Sequence, residues 1–317
     1  MKTKLSRLRH FFYPLLVIGV VYTLYLCIQF LFLFLGRLLS PLLKIAWKLE
    51  ELTAGVVLPN FILHLFLGLI PLLIAFYLAE KTFFRHRFLP RFFPPSPWAH
   101  WDLLFGLALG FFLFALLFLV FFALGWVRFT ATPLVVSPDL FWMALTFMVA
   151  ALFEELFYRG LHLPVFAAHW GLSPAIAFSA FLFSLAHLNN PHLSFGGLFV
   201  ILLAGVLFAF AYLETGTLYL PVALHFSCNF WQNCFGFRVS GFAFPTLFQL
   251  EVTGPPLWTG GAFGPEASLA GLFLLGLATV ATLLYGRFRR RTHLHPSETS
   301  RPSGTSGPPP PTEKNRP

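Results

Sequence analysis

Long apolar runs, each close to the length of a membrane-spanning helix, recur along this chain and restrict its fold more than any other feature. A helix needs about 20 apolar residues to cross the hydrocarbon core of a bilayer. Residues 11–35 supply the first run, and others cover roughly 55–79, 103–126, 139–163, 173–190, 196–213, 217–236 and 267–286. No stretch between them is large enough to house a soluble domain. Backbone polar groups in lipid must be satisfied within the segment, so such runs read as helices. The expected fold is therefore all-α: a polytopic membrane helix bundle with about eight transmembrane helices. The first run is too long for a signal-peptide core and no small-residue cleavage site follows, so it reads as a retained anchor. Composition agrees: 57% of residues are hydrophobic and 10% charged, against about a quarter charged in a soluble domain.

The charges give the orientation. Of 21 Lys and Arg, 15 fall in three stretches: Lys2, Lys4, Arg7 and Arg9; Lys81, Arg85, Arg87 and Arg91; and seven from Arg287 onward. The positive-inside rule places all three on the cytoplasmic side when an even number of spans separates the termini. Both termini are thus expected to be cytoplasmic. This segregation explains the net charge of +9 without nucleic acid as a partner, and makes the lipid bilayer the partner instead.

The chain divides by the same reading into four parts. Residues 1–136 carry the first three spans, with an interfacial segment at 37–54 holding Lys44, Lys48, Glu50 and Glu51. Residues 137–236 form a core of spans four to seven. Residues 237–290 make an outside loop and the last span. From 291 to 317 a Pro-, Ser- and Thr-rich tail, with Pro308 to Pro311, is expected to be disordered. Cys27, Cys228 and Cys234 sit in apolar segments and make no disulfide framework. No internal repeat suggests the duplicated halves of a transporter.

Ten of the twelve acidic residues lie in loops, in the tail or at span ends; the exceptions are Glu154 and Glu155 in the fourth span. A charge at mid-bilayer costs about 2.5–3.5 kcal/mol on insertion scales, so it persists where it pairs or works. Neighbouring helical residues point about 100° apart. Arg159, four residues after Glu155, is placed for an ion pair with it, which leaves Glu154 free to face a cavity. His187 lies late in the fifth span, and His225 and Asn229 share a face of the seventh. Measured from the expected span ends, Glu154 lies about 14 Å from the inner boundary, His225 about 12 Å and His187 about 21 Å, so His187 is two turns too deep. A carboxylate and an imidazole can deprotonate a water, while a second His and an Asn amide can stabilise the resulting oxyanion. Glu with two His could instead hold zinc with one position open.

At these residues the chain resembles a known family. Glu154-Glu155-x-x-x-Arg159, Phe183-x-x-x-His187 and His225-x-x-x-Asn229, with Tyr212-Leu-Glu-Thr-Gly-Thr-Leu before the third, are similar to the motifs of the CPBP intramembrane proteases. That group contains the CAAX prenyl endopeptidase Rce1 and the Abi-type membrane proteins. The resemblance covers about 139–236. It implies an intramembrane endopeptidase in which Glu154 and His187 activate water and His225 and Asn229 stabilise the oxyanion. Glu155, Arg159 and Phe183 would hold the site. It implies no cofactor; zinc on Glu154, His187 and His225 is the alternative. The implied partner is a membrane-embedded or lipid-modified peptide. The expected location is the plasma (inner) membrane of a bacterium, as an integral multi-pass protein. A competing reading is a non-proteolytic protein of the same fold, acting in bacteriocin self-immunity or as a scaffold. His162 and His169 are expected in an interfacial turn, His192 with Asn189 and Asn190 as a cap of the fifth span. Asn60 and His64 are expected to bond a neighbouring helix.

Overall fold

The computed structural model describes residues 2–38, 61–62, 64–82 and 92–294. Helix α1 runs Lys2–Leu38; α2, Ile70–Thr82, continues a π-helical turn at His64–Leu69; α3 is Ala99–Ala123. A strand β1 (Val127–Leu134) follows, then α4 (Asp139–Glu155), a π-helical stretch at Leu156–His162 and α5 (Leu163–Trp170). Next come α6 (Leu172–Leu185), α7 (Phe195–Thr215) and α8 (Tyr219–Cys234). The chain ends with β2 (Phe248–Val252), the short α9 (Pro256–Thr259), a 3-10 turn at Pro265–Ala267 and α10 (Leu269–Leu294).

The protein is a mostly helical, polytopic bundle, as its apolar runs require. Among the described residues six helices, rather than eight, are long and apolar enough to cross a membrane: His10–Leu38, His64–Lys81, Ala99–Ala123, Asp139–Trp170, Phe195–Thr215 and Leu269–Thr292. The fifth and seventh expected spans are α6 and α8, with 14 and 16 residues. At 1.5 Å per residue these reach only about 21 and 24 Å, short of a roughly 30 Å hydrocarbon core. Both carry the polar motif residues, so polarity and shortness go together. The long helices turn apolar side chains outward: Phe112 on α3 is 66% exposed and Phe273 on α10 65%. Lipid is the solvent that accepts such a surface.

Alpha-helical packing places α8, the carrier of His225 and Asn229, directly against α3. A Cβ at Gly106 would stand 2.8 Å from the Ala223 Cβ, and one at Gly110 would stand 2.6 Å from the Ser227 Cβ. These glycines form a small-x-x-x-small seam in an apolar helix, which lets two backbones approach closely. The Ser227 hydroxyl donates to the Leu107 carbonyl at 2.6 Å across the same seam. Gly110→Leu is therefore expected to push α8 away and lower the thermal unfolding midpoint in detergent micelles by several degrees. Leu at Gly276, where an added Cβ meets nothing within 4 Å, is expected to leave it unchanged.

Other expectations are corrected. The loop 237–265 is not irregular throughout: β2 pairs antiparallel with β1, Val127 opposite Val252 and Phe129 opposite Leu250. Residues 291–294, assigned to the tail, continue α10; the tail beyond, the interfacial segment from 39 to 54, and Asn60 lie outside the described residues. Asp102, taken for a span-end acid, is fully buried. It pairs with Arg289 at 3.3 Å and accepts from the Tyr285 hydroxyl at 2.7 Å, tying α3 to α10. Arg289 also donates to the Thr215 carbonyl and Arg290 to Glu214, which brings in α7.

Candidate active site

The structural half of the site is built around Arg159. Its position in a π-helical stretch marks an interruption of the kind frequent at functional sites. The guanidinium is fully buried, donates through Nη1 to Glu155 Oε1 at 2.9 Å and through Nη2 to the Gly205 carbonyl at 2.9 Å. Gly205 is where α7 meets α6: a Cβ there would lie 3.0 Å from that of Ala180. Phe183 and Phe208 present their rings to the guanidinium, 4.7 and 5.2 Å from its carbon to each centroid. Such faces offset part of the desolvation of a cation. One residue thus joins α4, α6 and α7.

Glu155 Oε1 also meets His225 Nδ1 at 2.8 Å. The same Oε1 accepts from Arg159, and a carboxylate oxygen paired with a guanidinium accepts from Nδ1 as well, so Nδ1 is the donor. The ring stacks on Phe208 with centroids 4.5 Å apart and a 14° interplanar angle. Both constraints turn Nε2 toward Glu154, whose Oε2 lies 3.7 Å away. The adjacent glutamates differ as their helical phase dictates: the Glu155 side chain is 0% exposed and that of Glu154 24%. Glu154 Oε2 has no hydrogen-bond partner among the described residues.

Glu154, His187, His225 and Asn229 all line one cavity of ≈ 490 Å³, together with Phe183 and Phe208. Glu155 and Arg159 lie behind its wall. His187 Nδ1 donates to the Phe183 carbonyl at 2.8 Å, since a carbonyl only accepts, and Nε2 of the neutral ring is left as an acceptor. The mismatch in depth between His187 and Glu154 disappears once the boundary is moved. The fourth helical run does not end near 163 but at Trp170, and the turn lies at Gly171, φ 86°. Counted from that turn, Glu154 is about 25 Å along its helix and His187 about 24 Å. Pro164 does not end the helical run, because it follows the π-helical stretch, where the regular i to i−4 ladder is already interrupted.

His162 is accordingly not in a turn. It is fully buried, with Nδ1 on the Phe157 carbonyl at 2.8 Å and its ring against Tyr158 and Phe166. His169 lies in α5, not in the turn, with its ring 5.4 Å from that of His10. Backbone bonds, Ala186 N–H to Leu182 and His187 N–H to Ser184, close α6 in place of the Asn side chains expected there. His64 lines the cavity. Missed altogether was Glu266, which lines the same cavity from the turn before α10. Its one sequence signal was an acid after Gly264 and Pro265, directly before the last apolar run. Also missed was the Gly106/Gly110 seam, legible as small-x-x-x-small.

Among the described residues no three His, Cys, Asp or Glu side chains converge as a ligand set for a metal. Glu154, His187 and His225 share the cavity.

A bundle of membrane-length helices around a buried carboxylate and imidazole cluster defines an integral membrane protein with a polar cavity among its helices. Residues 136–231, which contain all three motifs, match the family model described as type II CAAX prenyl endopeptidase, Rce1-like. This segment is similar to the CAAX-type intramembrane protease family, and the match covers the same stretch as the resemblance to the CPBP proteases. No curated protein and no solved structure matches the chain.

Proposed function

We propose that this protein is an intramembrane endopeptidase that hydrolyses a peptide bond of a membrane-embedded or lipid-modified substrate by a water that Glu154 and His187 activate. The observation that carries this reading is the unpartnered Glu154 Oε2 inside a cavity it shares with His187, His225 and Asn229. A water between Glu154 and the free Nε2 of His187 gives its proton to Glu154 as its oxygen attacks the carbonyl carbon. The carbonyl oxygen becomes an oxyanion. The Asn229 amide and His225 Nε2–H donate to it; with Nδ1 held on Glu155, Nε2 carries a proton in the cationic ring, whose charge the flanking carboxylates compensate. Collapse breaks the C–N bond, and Glu154 passes its proton to the departing amine. No step needs a metal. The basic stretches support cytoplasmic termini, and the plasma membrane of a bacterium is the proposed location. The match of residues 136–231 to the CAAX endopeptidase family model supports a CAAX-type substrate as one candidate.

The test compares the termini of membrane proteins, by mass spectrometry, in cells carrying wild-type or Glu154→Ala protein at equal levels. New C-termini confined to the wild type are expected. Identical termini would replace this reading with the non-proteolytic one. In a purified system Asn229→Ala is expected to lower kcat by about 10²–10³-fold, the effect of removing one oxyanion donor, with KM little changed. A loss seen only in KM would remove Asn229 from that role.

A further inference from the structure

The cavity holds one carboxylate that the mechanism above does not use. Glu266 belongs to the turn Pro265–Ala267, outside the family match, and faces the same space as His187 and His225. It is held rigidly. Oε2 accepts from the Ser240 backbone N–H at 2.6 Å and from the Ser240 hydroxyl at 3.0 Å. Ser240 itself adopts φ 51°, a left-handed conformation uncommon outside glycine. Around it, Gly241 N–H donates to the Phe263 carbonyl at 2.8 Å, and Gly264, at φ 110°, lies where a Cβ would run into the Arg238 carbonyl. Strained backbone persists where the surroundings over-determine it and clusters at ligand sites. Here its effect is to fix a carboxylate on the cavity wall.

That carboxylate is only half satisfied. Both hydrogen bonds fall on Oε2, and Oε1 has none among the described residues. Burial pushes the Glu266 carboxyl up from its ordinary range; the two Ser240 donors and the positive forms of His187 and His225 oppose that. No Lys or Arg is among the residues lining the cavity. Arg159, behind the wall, is committed to Glu155 and Gly205, and the exposed Arg238 donates to the Gly241 carbonyl. Glu155 is matched by Arg159 and Glu154 flanks the cationic His225, so Glu266 is the cavity carboxylate left without a counter-charge. An acidic, partly desolvated cavity favours a cation and disfavours a second anion.

We propose that Glu266 is a specificity-determining residue of this site, and that the substrate presents a lysine ammonium or an arginine guanidinium to its free Oε1 close to the scissile bond. The inference rests on the endopeptidase reading for the word substrate, but its binding component can be measured without turnover. A peptide whose free C-terminal carboxylate enters the cavity is the disfavoured case.

The experiment uses the full chain in lipid nanodiscs, in the Glu154→Gln form so that nothing is cut. The ligands are N-palmitoylated octapeptide amides, identical except for one position that holds lysine, norleucine or glutamate and is scanned along the peptide. At one or two positions lysine is expected to bind at least tenfold more tightly than norleucine, and glutamate more weakly than either. Glu266→Gln, added to the same chain, is expected to erase the lysine preference. Equal affinity for lysine and norleucine at every position, or no binding of any lysine peptide, overturns the proposal, as does a preference that survives Glu266→Gln. The ligand series on the unaltered Glu266 decides the matter if the Gln variant does not fold. A lysine preference in a chain that cleaves nothing with Glu154 present would leave this inference standing and sink the endopeptidase reading.

Discussion

Glutamine at position 154 is expected to lower cleavage by about 10²–10⁴-fold, the usual contribution of a positioned general base, and to leave the fold intact. The amide has nearly the shape of the carboxylate but cannot take a proton from water. Structurally little is lost, because Glu154 Oε2 makes no hydrogen bond among the described residues and approaches His225 only to 3.7 Å. A 3.7 Å separation is too long for a hydrogen bond. The variant should therefore unfold within a few degrees of the wild type while the hydrolysis of a membrane peptide, followed by mass spectrometry in micelles, nearly stops. A Glu154→Gln protein retaining more than a tenth of the wild-type rate would remove this carboxylate from the chemistry. One that fails to fold would make it a structural residue.

The division of labour between Glu154 and Glu155 could be read from the sequence because it depends only on helical phase and on an i, i+4 partner. Both survive in the structure, with Glu155 on Arg159 at 2.9 Å. The six long apolar runs were legible for a similar reason: length and apolarity are local properties. What failed was set by distant packing outside the three motifs. Residues 163–170 are apolar and contain Pro164, so nothing local said that the helix continues to Trp170 beyond a π-helical stretch. Asp102 looked like a helix-end acid because its partners, Tyr285 and Arg289, are more than 180 residues away. Glu266 gave no periodic signal at all; it enters the cavity only because its loop folds back through Gly241 and Gly264 onto Ser240. The cavity was thus legible where helices supply it and hidden where a loop does.

Arg159→Met is expected to be among the most destabilising single changes in the protein, at about 3–5 kcal/mol, because it leaves one partner of a buried ion pair uncompensated. Glu155 would keep only the His225 Nδ1 donor, and the Gly205 carbonyl would lose its bond from Nη2. Glu155→Leu is expected to cost a similar amount, by stranding a guanidinium that is 0% exposed. The double variant, Glu155→Leu with Arg159→Met, should be less damaged than the sum of the two, since apolar replacement of an entire buried pair is often neutral. Its activity should nevertheless stay lost. His225 would have no acceptor for Nδ1, and only its stacking on Phe208 would be left to orient the ring. Denaturant titration in micelles measures the first effect and peptide cleavage the second. Stability recovering without activity would show that Glu155 and Arg159 do two separable things: they close the core between α4, α6 and α7, and they orient the imidazole that faces Glu154. If the two single costs simply add, the residues do not act as a pair, and the orientation of His225 must be explained by its stacking on Phe208 alone.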